Sequence, residues 1–177
     1  MSEVPAHMFW WLHDARWYQG VARRFGQDAA NEINAEAAKF VARRFSDWHA
    51  RVHGKPAPTA AEVSAALESV STSMFAPGAM KFHNDIHSAS SFETVITRNF
   101  ALQMLRAAGS LEGYQCPCLE LRDGWFEGMG VTVEDKCVEC LRTGGSACRF
   151  VATLENPADT EDAPSPTQAT EAPPLHT

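Results

Sequence analysis

Cys116-Pro117-Cys118, Cys137-Val138-Glu139-Cys140 and Cys148 place all five cysteines of the chain in its C-terminal third. A thiolate is both a soft metal ligand and a good nucleophile, so this stretch could bind a metal or attack a substrate. The count is odd, and nothing at the N-terminus reads as a secretory signal. Both points argue against a disulfide framework and for a thiolate site. The plainer alternative is that the cysteines are buried small hydrophobes.

The spacing allows a specific ligand set. Cys140 and Cys148 flank Gly144-Gly145. They face each other if a hairpin loop holds an odd number of residues, as a three-residue loop containing Gly would. Cross-strand partners share one face and can share one ion. Cys137 is three residues before Cys140, so a regular strand points it the other way. The expected ligands are therefore Cys140 and Cys148, a third from Cys116 or Cys118, and Glu93 on the preceding strand as a fourth. Tetrahedral zinc accepts such a mixed set.

Pro117 suits the opening of a helix, which sets Cys118 in the first turn. The unpaired N–H groups and dipole there favour a thiolate. Cys118 is thus also the candidate nucleophile, and His13 is the candidate group to move protons.

His83, Asp85 and His87 form a second row. At i, i+2 and i+4 on a strand they share a face and could bind zinc or iron. A half-buried strand showing polar residues to water gives the same pattern. His13 lies at helical spacing between Trp10 and Trp17. It is either a pocket acid–base group with a burial-lowered pKa or a core histidine bonded to a carbonyl. Asp14 and Tyr18 sit one turn apart on the adjacent face. Trp10, Trp11, Trp17 and Tyr18 are expected to be mostly core.

The elements that must position these groups follow from periodicity. Trp10, His13, Trp17, Val21 and Phe25 mark a first helix, stopped at Gly26. Ile33, Ala37, Phe40, Val41, Phe45 and Trp48 mark a second, ending near Gly54 and Pro56. Val21-Ala-Arg-Arg-Phe25 returns as Val41-Ala-Arg-Arg-Phe45, which is too little for a repeat. Thr59 and Glu62 form a capping-box signature before Val63, Ala66, Leu67, Val70 and Met74, and Pro77-Gly78 ends that helix. Met80–His87 alternates and residues 92–97 are rich in β-branched residues, so both read as strands. Residues 99–108 read as a helix, and Leu121, Trp125 and Phe126 pack inward from the helix opened by Pro117. Residues 137–141 and 147–154 read as a closing hairpin. The order gives an α+β fold, with N-terminal helices packed on a small antiparallel sheet ending in a Cys-bearing β-hairpin.

The 177-residue length suits one domain, here residues 1–155. From Asn156 to Thr177 the chain is rich in Pro, Thr, Ala and acids, too poor in apolar residues to offset its ordering entropy, and reads as a disordered tail. The net charge of −7 argues against a nucleic-acid surface. Arg23-Arg24 and Arg43-Arg44 read as solvated helix faces. The longest apolar run, Met8 to Leu12, is far too short to span a bilayer. A cytoplasmic protein with a small-molecule substrate or ligand is expected, and a homodimer is left open.

Glu139-Cys140-Leu-Arg-Thr-Gly-Gly-Ser-Ala-Cys148-Arg-Phe150, preceded by Asp123-Gly-Trp-Phe-Glu-Gly-Met-Gly130, resembles the end of a vinyl-4-reductase-type domain. That resemblance covers about the second half of the chain. It implies a small-molecule-binding fold whose cysteines hold zinc in some members. Trp11-Leu-His-Asp-Ala-Arg-Trp-Tyr18, Ala30-Asn-Glu-Ile-Asn34 and the Cys-Pro-Cys step resemble a bacterial family grouped with L-2-amino-thiazoline-4-carboxylate hydrolase. That implies opening of a sulfur-containing ring at a C=N bond. Cys137 departs from the hairpin pattern as an extra cysteine.

Two readings of function follow. One is a hydrolase of a small heterocyclic or amide-like substrate, with zinc polarising the bond or Cys118 attacking it. The other is a non-catalytic binding module with a structural zinc. A redox protein ranks last, since the spacings match no usual iron–sulfur run.

Overall fold

The computed structural model of the chain describes residues 6–155, and side chains from residue 12 onward. The tail from Asn156 and the side chains of Trp10 and Trp11 lie outside the described residues.

Three helices come first: α1 (Ala6–Phe25), α2 (Gln27–His53) and α3 (Ala60–Met74). Gly26 and Gly54 bracket α2, both at positive φ (93° and 94°). The region is open to glycine without a Cβ penalty, so α2 starts and stops where the sequence expects. Thr59 caps α3 by accepting from the Glu62 N–H at 3.3 Å, as the capping-box pattern predicts.

Strands β1 (Met80–Ile86) and β2 (Ser91–Asn99) follow, then α4 (Phe100–Ala107) and α5 (Cys118–Met129), then β3 (Val133–Glu139) and β4 (Cys148–Leu154). The sheet is antiparallel in the order β1-β2-β4-β3. The α+β architecture matches the expectation, with the helices first and the cysteine-bearing strand last.

Register decides which side chains face the helices. Phe92, Thr94 and Ile96 of β2 oppose Ala152, Phe150 and Cys148 of β4. All six are buried. They form the core face, against which Trp125, Phe126 and Met129 of α5 and Val63, Leu67 and Val70 of α3 pack.

Helices α2 and α5 meet through small residues. A Cβ on Gly128 would sit 2.5 Å from the Arg43 carbonyl and 2.7 Å from the Ser46 Cβ, so only glycine permits this approach. Ser46 donates to the Trp125 carbonyl at 2.8 Å, and Lys39 bridges Asp123 (2.6 Å) and Glu127 (2.7 Å) across the same seam.

This packing overturns one expectation. The large residues Phe40, Val41 and Trp48 of α2 are exposed, and its buried face consists of Ala30, Asn31, Ala42, Ser46, His49 and Ala50. The glycines of α5 draw the helix axes too close for large side chains between them. Trp17 is likewise half exposed, whereas Tyr18 is buried as expected.

Candidate functional site

A cavity of about 660 Å³ lies between the helices and the core face of the sheet. The period-2 alternation of β1 and β2 sends Met80, Phe82 and Ile96 into it. Helix α4 supplies Phe100, Met104 and Leu105, α3 and its C-cap supply Leu67, Met74 and Phe75, and α5 supplies Leu121 and Trp125. Asp14, Arg16 and Gln19 of α1 add the polar part of the wall. The space is mostly apolar and has the size of a small-molecule site.

Most polar groups in the wall already have partners. Thr94 donates to Asn84 Oδ1 at 2.7 Å and accepts from Arg122 Nη1 at 3.0 Å. Arg122 is itself buried and forms a forked ion pair with Asp135, with Nη2 donating to Oδ1 at 3.0 Å. Its guanidinium also stacks on Phe150, 4.9 Å from the ring centroid. Ser71 donates to the Leu67 carbonyl at 2.7 Å. Trp125 differs. Its Nε1 is buried and, among the described residues, has no hydrogen-bond acceptor. A buried N–H without a partner is uncommon and costly.

The thiols gather at one end of this cavity, where Cys116 and Cys118 are part of its wall. All five cysteines are free. The Cys116 and Cys118 sulfurs are 2.7 Å apart, and those of Cys140 and Cys148 are 3.9 Å apart. The Leu141 N–H donates to the Cys148 sulfur at 3.3 Å, and the Arg142 N–H donates to the Cys140 sulfur at 3.4 Å.

Their acidities diverge. The hydrogen bond with Cys118 pulls the Cys116 thiol down. The same bond and burial push Cys118 well up, with Cys148 and Cys140 adding to the rise. Burial pushes Cys148 up to about 12. Burial also raises Cys137.

Cys118 thus stands at the head of α5 as expected, with its thiol pushed up.

The hairpin departs from its expected form. Residues 140–147 make a longer loop that includes a 3-10 turn at Leu141–Thr143, capped by Cys140. Cys140 and Cys148 still meet, because this turn folds the chain back over β4. A bulge between Cys137 and Glu139 also corrects the place of Cys137. Cys137 opposes Phe150 and so lies on the same face as Cys148, not the opposite one.

Glu93 is a second correction. It opposes Val151, on the face away from Cys148, and its carboxylate accepts from Arg149 Nη1 at 3.1 Å. Strand parity and that ion pair remove it from the thiol group. His13 is a third. Its side chain is 63% exposed, 3.2 Å from Asp14 Oδ1, and is not part of the cavity wall. His83 and Asp85 form an exposed pair at 3.3 Å, and His87 lies just past β1. That row is a solvated face.

The zinc expectation meets a mixed geometry. Four sulfurs about a zinc ion stand about 3.8 Å apart, given Zn–S bonds near 2.3 Å. The Cys140–Cys148 pair fits this spacing and the Cys116–Cys118 pair is too close. Among the described residues no group of three or more His, Cys, Asp or Glu is arranged to hold a metal.

Two features went unread in the sequence. Arg122 shares the helical face of Cys118, Trp125 and Met129, and a charge on an apolar face signals a buried pair. Trp125 reads only as core, because no sequence signal distinguishes a bonded indole N–H from an unpaired one.

Comparison with known proteins finds relatives in fold alone. No protein-family model and no curated protein matches the chain. The trafficking protein particle complex subunit 3 from Naegleria fowleri, covalently bound to palmitic acid, has a similar structure. Its TM-score is 0.57 at 11% identity, over 84% of this chain and 94% of that one. The phenol-responsive sensory domain of the transcription activator PoxR, with phenol, gives 0.56 at 14%, over 81% and 73%. An H-NOX structure concerned with activation gives 0.52 at 14%, over 88% and 76%. Neither family resemblance drawn from the sequence gains a family match. Among the described residues no helix is long and apolar enough to cross a membrane.

Proposed function

We propose that this chain is a small-molecule-binding module whose ligand is mostly apolar and carries one hydrogen-bond acceptor. The observation that carries this reading is the cavity of about 660 Å³ walled mostly by apolar side chains, Trp125 among them. The apolar wall supplies the affinity, and an acceptor that reaches the buried Trp125 Nε1–H, which has no partner among the described residues, fixes the ligand's orientation. Two fold relatives were solved with palmitic acid or phenol, molecules that each combine an apolar body with a polar end.

The test titrates the full chain with palmitic acid, phenol and graded series of each, following tryptophan emission and melting temperature. Saturable quenching with a rise in melting temperature supports the reading. No response across both series would sink it.

A zinc ion at the thiols is a second part of the proposal, held by Cys140, Cys148 and one of Cys116 or Cys118. The two backbone N–H groups aimed at Cys140 and Cys148 support it, since such donors stabilise thiolates. The ion would fasten the hairpin loop to the head of α5. Hydrolysis of a thiazoline is the weaker alternative, because the hydrogen bond with Cys116 and burial push the Cys118 thiol up and His13 is outside the cavity wall. That alternative would show as release of a new thiol from L-2-amino-thiazoline-4-carboxylate.

A further inference from the structure

Helix α2 sorts its residues by size in the reverse of a helix lying on a core. Ala42, Ser46 and Ala50 face inward, and the large apolar residues face solvent. Phe40 is 60% exposed, Trp48 55% and Val52 57%, with Val41 and Ile33 also exposed. At positions 33, 40, 41, 48 and 52 they recur every seven or eight residues, then four, along one face of the helix. Five such side chains make an apolar patch on the order of 500 Å², the size that marks an interaction surface.

The charges beside the stripe are divided along the helix. The first half carries Asp28, Glu32 and Glu36, and its one lysine, Lys39, is engaged by Asp123 and Glu127 of α5. The second half carries Arg43, Arg44 and Arg51, against Asp47 alone, which pairs with Arg51 within the helix.

We propose that this face is a homodimer interface, in which α2 of one chain packs antiparallel on α2 of a second copy about a two-fold axis near Val41 and Arg44. An antiparallel crossing sets the acidic half of each helix against the basic half of the other, whereas a parallel one sets like against like. It also lays Ile33 over Val52 and Phe40 near Phe45 of the partner. A two-fold contact uses one patch twice, so it buries about 1,000 Å² of apolar surface, which reaches the lower bound for a specific interface.

Sedimentation velocity on the full chain tests this, carried to about 100 μM, well above the micromolar constants of weak dimers. The native chain sediments as a dimer, and Phe40→Glu and Trp48→Ala each raise its dissociation constant at least tenfold with unchanged circular dichroism. Glu36→Lys and Arg51→Glu each weaken the dimer, and the two together restore it. A native chain that stays monomeric overturns the proposal. So does a dimer that survives both apolar substitutions, since it then forms through another face. Unfolding of Phe40→Glu would place Phe40 in the core and overturn it as well.

Discussion

Arg122 and Asp135 form a forked ion pair beneath the sheet, with both side chains almost fully buried. Asp135 belongs to β3 and opposes Ala152, so its carboxylate points down from the core face toward α5. The pair fastens the helix that carries Cys118 and Trp125 to the strand that carries Cys137. Asp135→Ala leaves a buried guanidinium without its counter-charge and costs about 3–5 kcal/mol, read by urea denaturation. The double change Arg122→Met with Asp135→Leu recovers most of that loss, because an apolar pair of similar volume carries no desolvation penalty. A double variant as unstable as the single one would contradict this account.

The α2–α5 seam gives a second prediction. Gly128→Ala pushes a methyl group into the Arg43 carbonyl and the Ser46 side chain. Both belong to a helix that cannot yield locally, so the substitution destabilises by about 1–3 kcal/mol. Gly144→Ala is the contrasting control. Nothing lies near a Cβ there, and only its φ of 96° penalises the change. A larger loss at Gly144 than at Gly128 would contradict the close approach of the helices.

Trp125→Phe keeps an aromatic six-membered ring but removes the pyrrole ring with its N–H. It is expected to weaken a ligand that bears an acceptor by about 0.5–1.5 kcal/mol, roughly 2- to 10-fold in dissociation constant. Binding of a matched hydrocarbon without the acceptor stays unchanged or improves. Equal losses for both ligands would show that Trp125 contributes shape alone.

His49 makes stability depend on pH. It is buried between α2 and α3, 3.0 Å from Ser69 Oγ, and burial and the charge of His53 hold its pKa below 6.5. A depressed pKa means the unfolded chain binds the proton more readily. The stability is therefore full above about pH 6.5 and declines as pH falls through the folded-state value. Melting temperature drops as pH is lowered from about 7.5 to about 5, and His49→Gln flattens that slope. An identical slope in the variant would assign it to other groups.

The thiol proposal predicts one zinc per chain by elemental analysis, lost in both Cys140→Ala and Cys148→Ala. Metal removal loosens the hairpin loop, and exposed Cys137 then reacts first with iodoacetamide, ahead of buried Cys148, whose thiol stands near 12. A native chain purified without zinc, and unable to take it up, would refute the metal.

Local chemistry determined much of this fold without help from the tertiary structure. Gly26, Gly54, Thr59 and Pro117 set the helix boundaries because caps and positive φ are properties of single residues. The alternation of Met80–Ile86 made a strand, and the clustering of cysteines drew attention to the end where Cys116, Cys118, Cys140 and Cys148 come together. What the sequence left undecided were the faces. Ile33, Phe40 and Trp48 read as a core stripe, yet Gly124 and Gly128, far along the chain, admit only small side chains against α2. Glu93 and Cys137 exchanged their expected sides because strand pairing and one bulge, not spacing along the chain, fix which way a side chain points. The cavity, the Arg122–Asp135 pair and the unpaired Trp125 N–H all arise where several elements converge. Each depends on distances between residues far apart in sequence, which only the packed structure sets.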